Sequence, residues 1–181
     1  MIFSWFERHP ALLFVLMALT VSGLIGGGVY LQWSDPLFVV PCHMCVFQRY
    51  LYIIIGVLAL FAAILASNNE KTIPFFSAII LIISGVGAYV AGVQSWMQRS
   101  VTESGVCKFG GGDIYTFVIE NSPLTEMLPI LFKAEGSCND PGWIFLNLSI
   151  ANWSFIAFSC CIIAMILMFF LGGKAHRSPF D

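Results

Sequence analysis

Charge is what this chain most lacks. Of its 181 residues only 8 are lysine or arginine and 10 are aspartate or glutamate, 10% in all, where a soluble domain usually carries about a quarter. An ordinary water-soluble globular domain is therefore excluded. A formal net charge of -2 supplies no basic surface, so nucleic acid is not an expected partner. Histidine is scarce as well: His9 and His176 stand near the two ends, leaving only His43 inside the chain. No internal repeat, low-complexity tract or linker divides the sequence, and residues 1–181 read as a single membrane domain.

What is present is long apolar runs. Residues 11–34, 50–69, 72–98 and 141–173 contain no charged side chain at all. Each reaches the roughly 20 residues that carry a helix across a bilayer core, and a helix satisfies its own backbone in lipid. Spans are expected near 11–31, 46–66, 74–96 and 152–171. This gives an all-α membrane protein, a four-transmembrane-helix bundle with a long loop between helices 3 and 4, and with the lipid bilayer as its first partner. The opening run is too long for a signal-peptide core, has Glu7 beside Arg8 in place of a basic leader, and lacks an A-x-A-like cleavage site. It reads as a retained helix.

Four crossings put both termini on one side, together with Arg8, Lys71, Lys174 and Arg177. The other side holds 32–45 and 97–151, where Arg99, Lys108 and Lys133 are outnumbered by Glu103, Asp113, Glu120, Glu126, Glu135 and Asp140. By the positive-inside rule the first side is cytoplasmic. Cys42, Cys45, Cys107 and Cys138 all fall on the outer side, where disulfides persist. Cys160 and Cys161 lie inside the last span and read as small buried hydrophobes.

Packing and interface signals are ordinary. Gly23 and Gly27 on one helix, and Ala88 and Gly92 on another, are spaced four apart and would let helices approach closely. Trp5, Trp33, Trp96 and Trp153 fall near span ends, as in an aromatic belt. In the long outer segment, Gly110–Gly112 and Gly136-Ser137 flank the working stretch with backbone freedom. Between them, Ser122 and Pro123 would open a short helix on the membrane surface that Pro129 ends or kinks; an irregular loop is the alternative.

The chemistry-bearing motif is Pro41-Cys42-His43-Met44-Cys45 at the outer mouth of the second span. A C-x-x-C pair at a helix start is a redox arrangement, because the helix N-terminus favours a thiolate. A permanent disulfide or half of a zinc site are the alternatives, and with His43 inside the pair the motif is not the C-x-x-C-H of haem attachment. Cys107 and Cys138 taken alone would be a structural disulfide. Two pairs on one membrane face, however, can exchange, since exchange needs only a thiolate that reaches the next sulfur. Arg49, one turn beyond Cys45, either snorkels to lipid phosphate or donates to a quinone carbonyl as negative charge develops there.

With these pieces in place the chain closely resembles the bacterial disulfide bond formation protein B (DsbB) family along essentially its whole length. The matching residues are Pro41 to Arg49, Gly92-Val93-Gln94, Cys107, and Gly136-Ser137-Cys138 followed by Trp143, Phe145 and Leu146. The resemblance implies a quinone-dependent protein-disulfide oxidoreductase of the bacterial inner membrane with its cysteine pairs facing the periplasm. Its partner is a periplasmic DsbA-like thioredoxin-fold oxidase and its cofactor a membrane quinone, ubiquinone or menaquinone, with no metal. A DsbA–DsbB–quinone chain of this kind is already known to keep the periplasm oxidising. The resemblance also assigns roles: Cys107 is attacked by the reduced partner, the freed Cys138 engages Cys42, Cys45 faces the quinone, and Arg49 lies at the quinone site. Two positions depart from it: some members carry an acidic residue at Gln48 and some a histidine near Arg99. The quinone-linked vitamin K epoxide reductase type also uses two pairs, but there the loop pair precedes the C-x-x-C. A non-catalytic membrane scaffold with structural disulfides is the rival of another class.

Overall fold

The structure, a computed structural model, describes residues 10–34, 41–66, 72–99, 117, 119–134, 136–139, 141 and 143–172. Cys107, the glycines at 110–112, Trp5 and the charged residues Arg8, Lys71, Lys174 and Arg177 lie outside them, as does the expected inner turn. Among the described residues four helices are long and apolar enough to cross a bilayer: α1 (Pro10–Ser34), α2 (His43–Ala66), α3 (Thr72–Arg99) and α6 (Ile150–Gly172). They fall on the four apolar runs and extend beyond the expected spans. Hydropathy marks the lipid-immersed stretch, whereas the hydrogen-bonded helix continues into polar turns. At α2 the Val46 amide already bonds the Cys42 carbonyl at 3.0 Å, so the helix begins at the C-x-x-C itself.

α1 packs on α2, α2 on α3, and α3 on α6. Phe14, Ile55, Ile80 and Phe158, one from each helix, are completely buried between them. Leu19, Phe61, Ile82 and Ile163 point outward and stay exposed, which suits helices whose surroundings are lipid and need no apolar face hidden. The Tyr52 ring stacks on Phe158 at 4.2 Å and 2°, and its hydroxyl shares a 2.9 Å hydrogen bond with the Ser154 hydroxyl. This ties α2 to α6 across the bundle.

The small-residue spacing marks close helix approach on α3 but not on α1. Gly23 and Gly27 have nothing within 4 Å of where a Cβ would stand, because their face of α1 borders an open groove. Gly92 does receive Phe155, at 3.5 Å. The tightest approach is Gly87, where a Cβ would overlap the Phe158 ring.

The outer segment is partly structured. Two short helices, α4 (Pro123–Met127) and α5 (Pro129–Phe132), replace the single expected one, with Pro129 in the first turn of the second. They dock on the outer end of α2: Ile119 and Phe132 bury against Val46, Tyr50 lies 4.5 Å from the Phe132 ring, and its hydroxyl donates to Ser122 Oγ at 2.8 Å. A small antiparallel hairpin, β1 (Ile144–Phe145) and β2 (Leu148–Ser149), then leads into α6. Its turn holds Leu146 and Asn147 at φ 53° and 62°. Such turns usually announce themselves as Asn-Gly, and Leu-Asn gave no such sign. Trp33 and Trp96, near the ends of α1 and α3, are strongly exposed.

Candidate redox site

The site is assembled at the end of the bundle where α2 starts. Cys42 accepts the first helical hydrogen bond through its carbonyl, which puts Cys45 inside the first turn and in the positive field of the helix N-terminus. The two sulfurs lie 3.3 Å apart and unbonded, with the Cys42 thiol donating to Cys45. That hydrogen bond, together with burial and the neighbouring Cys45 charge, holds the Cys42 thiol well above the ordinary cysteine range. The helix start therefore does not activate both sulfurs alike: Cys42 keeps its proton and donates it in the hydrogen bond that Cys45 accepts.

Two polar side chains complete the surroundings of Cys45. Gln94 on α3 is 2% exposed, and its Nε2 donates to Cys45 Sγ at 3.0 Å and to Cys42 Sγ at 3.4 Å. Its Oε1 accepts from Gln48 Nε2 at 2.8 Å, and Gln48 is 4% exposed. Arg49, one turn beyond Cys45, is mostly buried and donates to the Leu131 carbonyl at 2.8 Å and to Gln32 Oε1 at 3.0 Å. These two bonds link the ends of α1 and α2 to α5.

Cys138 is completely buried in one cluster with Cys42, Met44 and Val90, and it is disulfide-bonded. The amide of Gly136 donates to the Pro41 carbonyl at 3.0 Å, so the strand of chain bearing Cys138 is held against the chain entering the C-x-x-C. The structure thus brings together Cys42, Cys45, Cys138 and Arg49. Cys107 lies outside the described residues. Cys160 and Cys161 sit in the middle of α6 and line an apolar groove instead.

Beside the sulfurs is a cavity of about 110 Å³ lined by Cys42, Cys45, Gln48, Arg49, Tyr52 and Gln94, among others. Through Leu24, Gly28 and Ile150 it adjoins a larger apolar groove of about 560 Å³ between α1 and α6. Among the described residues no three His, Cys, Asp or Glu side chains gather as a metal site would require. Gln94 is the residue whose role sequence reasoning missed. Its signal was an amide late in a charge-free helical run, where an unpaired polar group in lipid would be costly.

The site's setting has close counterparts. A family model described as disulfide bond formation protein DsbB matches residues 10–168. The disulfide bond formation protein B of Acidovorax sp. (strain JS42) is 34% identical over 172 residues, 94% of this chain and 94% of that protein. That of Polaromonas naphthalenivorans (strain CJ2) is 39% identical over 150 residues, covering 83% and 85% of the two chains. That of Paracidovorax citrulli (strain AAC00-1) is 32% identical over 181 residues, covering 100% and 99%.

Proposed function

This chain belongs to the DsbB family of disulfide bond formation proteins, and from that premise we propose that it reoxidises a periplasmic DsbA-like dithiol oxidase and passes the electrons to a membrane quinone. The observation that carries the proposal is the burial of disulfide-bonded Cys138 against Cys42, with Cys45 behind it on the wall of a cavity. Two sulfur pairs in one place are what an exchange relay needs. In this reading the partner's thiolate attacks Cys107 and expels Cys138 as a thiolate. Cys138 then attacks Cys42 of an oxidised C-x-x-C; the Cys42–Cys45 bond breaks, and its electron pair stays on Cys45. The partner's second thiolate attacks its own sulfur in the partner–Cys107 bond and expels Cys107 as a thiolate, so the partner leaves as a disulfide, having given up two electrons and two protons.

The residues around the cavity suit a quinone. Cys45 and Arg49 share its wall, and the adjoining groove between α1 and α6 is apolar enough for an isoprenoid tail. A bound ubiquinone or menaquinone supplies a two-electron, two-proton acceptor. Arg49 offers a fixed cation where negative charge develops, oriented by Leu131 and Gln32. On the same reading both termini are cytoplasmic and the cysteines face the periplasm of a bacterial inner membrane.

The test is turnover of the purified chain in nanodiscs with reduced DsbA-like oxidase and quinone, followed by the loss of quinone absorbance. Serine at Cys42, Cys45, Cys107 or Cys138 is expected to reduce turnover to background. Serine at Cys160 or Cys161 is expected to leave it near wild type. Full turnover in a Cys107 or Cys138 variant would refute the relay.

A further inference from the structure

A chain of two buried amides ends on sulfur: Gln48 Nε2 to Gln94 Oε1 at 2.8 Å, then Gln94 Nε2 to Cys45 at 3.0 Å and to Cys42 at 3.4 Å. Nothing in the relay described above uses it. Both amides are nearly inaccessible, at 4% and 2% exposure, so water does not compete for them, and hydrogen bonds there are worth more than at a surface. A side-chain amide has one donor end and one acceptor end. Turned as it is, Gln94 offers N–H groups to the sulfurs. Turned the other way, it would offer lone pairs to a charged sulfur. Which way it faces is decided at its far end, where Gln48 donates to its oxygen.

We infer that Gln94 is a further catalytic residue, the donor that makes Cys45 the charged and departing sulfur of the pair, and that Gln48 is the positioning residue that fixes the direction of the Gln94 amide. The inference rests on the dithiol-oxidase reading of this site. Its consequence is directional. A sulfur that holds negative charge well leaves readily in exchange. Attack by Cys138 is thereby steered to Cys42, with the Cys42–Cys45 bond breaking toward Cys45, next to the cavity. Among the described residues, the charged and titratable groups lining the cavity beside the pair are few. On α2 they are Arg49 and Tyr52; α3 contributes the neutral amides of Gln94 and Gln98, and α6 the Ser154 hydroxyl. Cys138, being disulfide-bonded, does not titrate.

The experiment reads thiolate and not turnover. The full chain in nanodiscs, with Cys42 and Cys45 reduced, is alkylated with iodoacetamide across a pH series, and modification of the Cys45 peptide is timed by mass spectrometry. Gln94→Leu is expected to move the alkylation midpoint of Cys45 up by about one pH unit, the size of one hydrogen bond to a charged group. Gln48→Leu moves it part of the way, because the Gln94 amide remains but is no longer oriented. Gln48→Glu keeps the shape and adds a second inflection. While protonated, the carboxyl still donates to Gln94; once ionised, it only accepts, the Gln94 amide turns around, and Cys45 alkylation slows. A packing role alone would produce no such inflection. Coincident wild-type and Gln94→Leu profiles, in proteins of equal helicity by circular dichroism, overturn the inference. Should Gln94→Leu not fold, a Gln48→Glu profile superimposable on wild type overturns it by itself. Neither partner nor quinone enters the measurement. A shifted midpoint in a chain that shows no turnover supports the Gln94 assignment and refutes the proposed function, and an unmoved midpoint beside normal turnover does the reverse.

Discussion

Arg49 performs two tasks with one guanidinium. It stands on the wall of the cavity beside Cys45, and it also holds the Leu131 carbonyl and Gln32 Oε1. Snorkelling to lipid and donation to a quinone are the two readings of its sequence position; the hydrogen bonds to Leu131 and Gln32 are a further use of the same guanidinium. If it also donates to a quinone oxygen, Arg49→Ala should cost about 2–4 kcal/mol in kcat/KM for quinone, the usual loss of an oxyanion-type donor. Arg49→Lys keeps the charge without the planar fork and should fall between. The bond to Leu131 adds a second expectation. Removing it should raise amide hydrogen exchange at Phe132 and Lys133, whose α5 bonds to Leu128 and Pro129 lose their anchor to α2. Unchanged quinone kinetics in Arg49→Ala, with faster exchange only, would leave Arg49 a purely structural strut.

At the level of helices, the α3–α6 contact depends on one missing Cβ. Gly87 gives Phe158 the space to lie flat on Tyr52, and Phe158 is fully buried, so its ring has nowhere to move. Gly87→Ala should therefore destabilise the bundle by about 1–3 kcal/mol, as overpacking of a close-packed core does. Gly23→Ala, on the open face of α1, should be neutral or mildly stabilising, since alanine is the better helix former. Thermal unfolding in detergent compares the two directly, and equal effects would show that the α3–α6 contact is looser than described. The outer elements follow the same logic at smaller scale: α5 is one turn long, too short to persist alone, and it is held by Phe132 packing on Val46 and Tyr50.

For the whole molecule, the bundle holds the Cys42 and Cys45 pair, disulfide-bonded Cys138 and a cavity together at one end. The order of events across it is open to trapping. If Cys107 is attacked first and Cys138 resolves, Cys138→Ser should accumulate a partner-linked mixed disulfide at Cys107, because nothing local then displaces the partner. Peptide mapping after acid quench locates the adduct. Finding it only on Cys42 would reverse the order of the relay.

Much of this was legible in the chain itself. Four charge-free runs set four helices, because lipid leaves the backbone no partner but itself. The helix-start C-x-x-C, Cys138 and Arg49 stood out in the sequence as candidates, because sulfur chemistry and a charge at a membrane boundary each leave a local trace, and the structure brings these residues together. The tertiary structure decided what depends on contacts between distant residues. It placed Cys138 against Cys42, tied Arg49 to Leu131 and Gln32, put the close approach at Gly87 and left Gly23 and Gly27 beside a groove. It also aimed Gln94 at two sulfurs from a helix that begins 27 residues after Cys45. Periodicity and composition report what a residue prefers as its surroundings; only packing of the four helices determines which neighbour supplies them.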